Sequence, residues 1–139
     1  MSWENLDLGA IASTVKNPPP PPVETYTFRL LGVKRNQFDP EKIDFDLVID
    51  EGQYKGRRVF PTLPDPSKYT WAANAAAHLL ITVFGETQQN GESPLDAFAR
   101  VAATQPRLTA PLVHDEWTGK DGTQKVKANI QFFQATAAA

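Results

Sequence analysis

The sequence predicts a mainly β, α+β domain: three strands, a helical insert, then two more strands, preceded by an extended N-terminal arm. Three observations carry that expectation. Apolar and polar residues alternate in stretches on both sides of the middle of the chain, which is the period of a half-buried strand. Between those stretches lies "PTLPDPSKYTWAANAAAHLLITVFG", where the apolar spacing turns helical. Near the start, "NPPPPP" (residues 17–22) must be extended, because proline locks φ and donates no hydrogen bond.

The elements follow in order. Residues 1–22 form the arm: Trp3, Leu6, Leu8, Ile11 and Val15 are spaced loosely as a short amphipathic segment, open between a docked arm and disorder, and the prolines read as a stiff spacer rather than an SH3 ligand. The folded body is expected over 23–134. Strand one sets Tyr26, Phe28 and Leu30 on one face, and Gly32 marks a bulge or bend of the kind a small barrel needs. "RNQFDPEK" is a loop. Strand two, "IDFDLVIDE", alternates Ile43, Phe45, Leu47 and Ile49 with Asp44, Asp46, Val48 and Asp50. A short turn at Gly52 leads into strand three, expected from about Tyr54 to Phe60, with either an outward stripe of Tyr54, Arg58 and Phe60 or Phe60 in the core.

Prolines then end the sheet and Ser67 is placed to cap a helix that packs through Trp71, Ala75, Leu79 and Val83 and stops at Gly85. A second helix has Ser93 as cap, Pro94 in its first turn and Asp96 at its positive end. Strand four, "RLTAPLVHDEW", reads as an edge strand because of Pro111, and "TGKDG" turns into strand five, where Val126, Ala128, Ile130 and Phe132 alternate with polar residues. Residues 135–139 are expected to fray.

At 139 residues the chain fits one domain with a core of its own, and without cysteine that core rests on packing alone. No apolar run nears the roughly 20 residues of a membrane span and "MSWENLDLGAIAS" lacks a signal-peptide pattern, so the chain reads as intracellular. Net charge is −2, so any attraction to nucleic acid must come from a local basic patch.

Three strands, a helix and two strands is the order of an OB-like barrel, the five-stranded Greek key used to bind oligonucleotides. The segments "ETYTFRLLGVKR", "IDFDLVIDEGQYKGRRVF", "LLITVFG" and "HDEWTGKDGTQKVKANIQFF" together resemble small phage-encoded proteins grouped with single-stranded DNA-binding and recombination-associated proteins. The resemblance spans about residues 23–134. It implies an OB-like fold that coats single-stranded DNA during replication or recombination in the cytoplasm of an infected host. RNA is an alternative ligand, since nothing in the chain reads the ribose hydroxyl.

Binding a single strand without sequence preference needs cations along the backbone and aromatic faces for the bases. The candidate cations are Lys34, Arg35, Lys55, Arg57, Arg58, Lys120, Lys125 and Lys127; the candidate stackers are Phe38, Tyr54, Phe60, Trp117 and Phe133, with Phe60 and Phe133 weighted toward the core. The acids Asp44, Asp46, Asp50 and Glu51 are then expected away from the groove. No catalysis, metal or cofactor is expected: His78 and His114 have no nucleophile or ligand partner at motif spacing, "FDPEKIDFD" lacks a calcium-loop pattern, and "GKDGT" is a hairpin turn rather than a phosphate loop. The rival reading is a structural or interaction protein of a phage particle, docking through Trp3, Leu6 and Ile11 on a partner or a second copy. The two readings part on whether the cations cluster on one face or scatter among the acids.

Overall fold

A computed structural model describes residues 20–138. The apolar residues of the arm, Trp3, Leu6, Leu8, Ile11 and Val15, lie outside the described residues, as does Ala139. The elements are β1 (Thr25–Arg35), β2 (Ile43–Ile49), β3 (Arg58–Val59), β4 (Thr62–Leu63), α1 (Thr70–Ala77) running into a π turn (His78–Val83), α2 (Pro94–Ala102), β5 (Arg107–Thr118), β6 (Gln124–Ile130) and β7 (Thr136–Ala137). The strand order is β3-β2-β1-β5-β6, with β4 on β2 and β7 on β5, and every pairing is antiparallel. The sheet curls into a nearly closed, OB-like barrel with two helices inserted between the third and fourth main strands. At the seam β6 reaches β4 through a side chain: Lys127 Nζ donates to Thr62 Oγ1 at 2.7 Å.

Alternation explains the core. Phe28 and Leu30 of β1, Phe45, Leu47 and Ile49 of β2, Val59 of β3, and Leu108, Ala110 and Leu112 of β5 all point inward and are buried. The helices close the barrel with Leu79, Val83 and Phe98, and the Phe98 ring meets Phe45 edge-on at 5.1 Å. The bulge falls between Leu30 and Gly32, where the β1–β2 register shifts. Ser93 caps α2 by accepting from the Asp96 amide at 3.1 Å.

Several expectations are corrected. Strand three is not continuous from Tyr54: residues 51–56 are a turn, with Gly52 and Gly56 at φ +87° and +95°, a region that favours glycine. Pro61, which has no N–H, then separates β3 from β4, while its carbonyl still accepts from the Phe45 amide at 2.8 Å. Ser67 does not cap α1, because Asp65 claims both its amide and its hydroxyl. Trp71 is 46% exposed and Ala72 is buried in its stead, while Ala75, Leu79 and Val83 pack inward as expected. Pro111 is not on an edge: β5 lies between β1 and β6, and Pro111 sits where its pairing passes from one to the other, accepting from Gln131 N at 3.0 Å.

Both ends of the described chain are tied down. Thr136 and Ala137 pair with β5 instead of fraying, and His78 Nε2 donates to the Ala135 carbonyl at 2.9 Å. The last prolines of the spacer pack on the barrel: Pro21 is fully buried and its carbonyl accepts from His114 Nε2 at 2.6 Å, while Tyr26 donates to the Pro22 carbonyl at 2.8 Å.

Candidate nucleic-acid interface

Two outer surfaces meet at the seam of the barrel. The first is the outside of β1, β2 and β3. Register sets Lys34 opposite Asp44 and Gly32 opposite Asp46, and Arg58 and Phe60 emerge on the same side because Val59 between them is buried. A cleft of about 190 Å³ opens there, lined by Gly32, Lys34, Asp44, Asp46 and Phe60. The second surface is the β5–β6 hairpin, where register pairs Trp117 with Lys125 and Asp115 with Lys127. Opposed residues of an antiparallel pair share a face, and Lys127 reaches Thr62, so Trp117 and Lys125 continue the same row toward the hairpin tip.

One polar network organises the junction. Asp44 accepts from both Thr62 Oγ1 (2.7 Å) and Asn36 Nδ2 (3.1 and 3.2 Å). Asn36 also turns the loop after β1, its Oδ1 accepting from the amides of Phe38 (2.8 Å) and Asp39 (3.1 Å). Phe38 therefore stands 87% exposed on a loop that is itself held in place. Burial pulls the Lys127 ammonium below the usual lysine range, and Asp44 and Asp115 oppose that shift. At the hairpin tip the Lys125 side chain lies 2.7 Å from where a Cβ on Gly119 would stand, so this glycine gives the lysine its path.

The thirteen sequence-predicted residues divide. Lys34, Arg58 and Phe60 share the outer face of β1–β3, Lys127 joins it through Thr62, and Trp117 and Lys125 continue from Lys127 along the hairpin, with Lys120 at its tip and Phe38 on the loop anchored to Asp44. Of the two options for Phe60, the outward stripe holds, since Phe60 is 44% exposed with the Arg58 guanidinium 5.9 Å from its ring centre. Trp117 is 45% exposed. Phe133 is also exposed rather than core, but its ring neighbours His78 at 6.4 Å rather than a residue of the seam.

The others leave the site. Tyr54 is half-buried in its turn, its ring edge-on to Tyr26 at 6.2 Å. Lys55 and Arg57 share that turn, at the Ile49 end of β2, while Arg35 lines a different groove beside the helices. "EGQYKGRRVF" is thus split: only Arg58 and Phe60 reach the seam.

The acids are not away from the site. Asp44 and Asp46 share the outer face with the cations, and Asp46 holds Arg58 through both carboxylate oxygens, Arg58 Nε donating at 2.8 Å. The alternation of β2 made these outward positions legible, but which cation each would face depends on long-range register. Sequence reasoning missed Asn36 and Thr62, and no local signal marks them. Asp50 and Glu51 do lie elsewhere, at the other end of β2, bound to Arg29 and Arg107. Among the described residues, Lys34, Lys120 and Lys125 form no ion pair. The cations are therefore interleaved with acids on both surfaces: Asp44 and Asp46 on the sheet, and on the hairpin Asp115 opposite Lys127 and Asp121 beside Lys125 near Gly119.

No helix among the described residues is long and apolar enough to cross a membrane. Comparison of the chain with family models, characterised proteins and solved structures finds no match.

Proposed function

We propose that this protein binds single-stranded nucleic acid, DNA foremost, without strong sequence preference and without a catalytic step. The strand runs along the seam between the β5–β6 hairpin and the outer face of β1–β3. Bases stack on Trp117, Phe60 and Phe38, and phosphates meet Lys34, Lys120 and Lys125. The observation that carries this reading is the Trp117–Lys125 pair, an exposed aromatic opposite a cation that forms no ion pair, on the same hairpin face as the Lys127 that reaches Thr62. Stacking is sequence-tolerant, each base contributing roughly 1 to 3 kcal/mol, so a chain of net negative charge needs few cations if several rings take part. The Arg58–Asp46 pair argues that Arg58 contributes shape beside Phe60 rather than free charge, which leaves Lys34 as the cation of the sheet face. Coating of exposed strands during phage replication or recombination is the setting that the resemblance of the strand and hairpin segments supports.

A polarisation titration with a labelled thymidine oligonucleotide and a matched duplex, at low and moderate salt, tests this. Micromolar or tighter binding to the single strand, weaker on duplex and declining with salt, is expected. Absence of binding to either at low salt overturns the reading.

A further inference from the structure

The β5–β6 hairpin leaves the barrel at Pro111. β5 pairs with β1 over residues 107–111, and from Leu112 to Thr118 its ladder partner is β6. Residues 115–118 and 121–126 are exposed, so the part that carries Trp117 and Lys125 is a two-stranded ribbon with little core of its own. Such a ribbon is at best marginally stable in water by itself, and its position depends on what holds its base. Among the described residues, two side-chain hydrogen bonds hold it, on adjacent rungs of the ladder and from opposite faces. His114, paired with Ala128, reaches the Pro21 carbonyl at 2.6 Å, and Lys127, paired with Asp115, reaches Thr62 Oγ1 at 2.7 Å.

The geometry points to Lys127 as a positioning residue of the proposed site, one that pins the hairpin across the seam and takes no phosphate itself. Sequence alone groups it with the phosphate-binding cations, but its ammonium is committed within the fold. It donates to Thr62, whose hydroxyl donates in turn to Asp44 at 2.7 Å. Asp44 also accepts from Asn36, and Asn36 turns the loop that carries Phe38. One chain of hydrogen bonds thus joins β6, β4, β2 and the loop after β1, and it sets the hairpin of Trp117 and the loop of Phe38 relative to the same carboxylate. The surroundings of Lys127 are acidic. Asp115 stands opposite it, held by Asn129 Nδ2 at 2.8 Å, and the charges of both Asp44 and Asp115 act on the ammonium. Lys127 is half-buried, whereas Lys125, two rungs nearer the tip, is exposed. A phosphate arriving at Lys127 would meet two carboxylates and displace an existing hydrogen bond, an exchange with little to gain. The effect on affinity rests on the nucleic-acid reading; the pin itself is a property of the free protein.

The test uses the full chain and two readouts: hydrogen exchange of the free protein, and titration with the labelled thymidine oligonucleotide across a range of salt. The variants are Lys127→Met, Thr62→Val and the two together. Each single variant is expected to speed exchange of the hairpin amides while those of β1 and β2 stay as in the wild type. Each should also weaken binding by about 3- to 10-fold, the size of one lost hydrogen bond, because affinity falls with the fraction of hairpins held in place. The slope of log affinity against log salt should not change. The double variant should be no worse than Thr62→Val alone, since both changes remove the same bond. Thr62→Ser, which keeps the hydroxyl, should bring exchange and affinity back to wild type. A slope lowered by about 0.7 in Lys127→Met makes Lys127 a phosphate contact and overturns the proposal. Hairpin exchange that matches the wild type, or losses that add in the double variant, overturns it as well. A wild type that binds no strand while the variants still loosen the hairpin overturns the nucleic-acid reading and sustains the pin.

Discussion

The two ends of β2 both carry aspartates on the outside of the barrel, and the fold treats them in opposite ways. At the Ile49 end Asp50 is clasped by two arginines, Arg29 at 3.2 Å and Arg107 at 2.8 Å, and Arg107 also meets Glu51 at 3.4 Å. At the Ile43 end Asp44 is satisfied by neutral donors, Asn36 and Thr62, with Lys127 joined to the same network. The first arrangement consumes its cations within the fold. The second leaves Lys34 and Lys125 nearby without an ion pair, next to exposed rings. Surface charge becomes available to a ligand where carboxylates are satisfied by amides and hydroxyls, since an ion-paired arginine must give up its partner before it can hold a phosphate.

This contrast can be broken most directly at Trp117. Trp117→Ala is expected to weaken single-strand binding by about 10-fold or more, the size of one lost stack, with melting unchanged because the ring is half exposed. Arg29→Gln, at the other end of β2, should leave affinity nearly intact; equal losses from both in the same titration would erase the distinction between the two ends.

A smaller effect sharpens the charge side. Lys120→Gln with Lys125→Gln should lower the slope of log affinity against log salt by about 1.4, roughly 0.7 for each phosphate contact on a single strand. A slope that does not move removes the hairpin lysines from the backbone contacts and leaves stacking alone.

The smallest effect concerns stability. The Arg29 hydrogen bond, with Arg107 in support, holds the Asp50 carboxyl below the usual carboxylate range against a weaker opposing effect of burial. Between its folded and unfolded values the unfolded chain binds more protons, so the contribution of Asp50 is complete above the ordinary carboxylate range and is lost as pH falls through the folded value. Asp50→Asn should flatten the acid limb of a stability-against-pH curve. Asp65 and Glu92 are shifted the same way, Asp65 by Ser67 and Glu92 by Arg100, and will keep part of that limb.

Much of the fold was legible in local sequence. Alternation placed Phe28, Leu30, Phe45, Leu47 and Ile49 in the core, Gly32 announced the bulge, and Ser93-Pro94 announced α2. The errors share one cause, which is that a residue's partner lay far along the chain. Pro111 looked like an edge because proline cannot donate to a ladder, yet the strand changes neighbours at that residue and only its carbonyl is asked for. Trp71 looked like helix packing by its size, yet the barrel leaves room only for the small faces of Ala72 and Ala75. Tyr54 looked like part of an outward stripe until the turn at Gly52 and Gly56 rolled it against Tyr26.

What the sequence determined by itself is the kind and order of the elements and, for the long strands, which residues face out, because period, capping and proline act over a few residues. Which outward residues meet was decided by the tertiary structure. Arg58 with Asp46, Lys127 with Thr62 and Asp44 with Asn36 are consequences of register, of the bulge at Gly32 and of the way β6 returns to the seam. A one-residue shift in any of these pairings would exchange inner for outer side chains and dissolve the candidate site while leaving the list of strands unchanged.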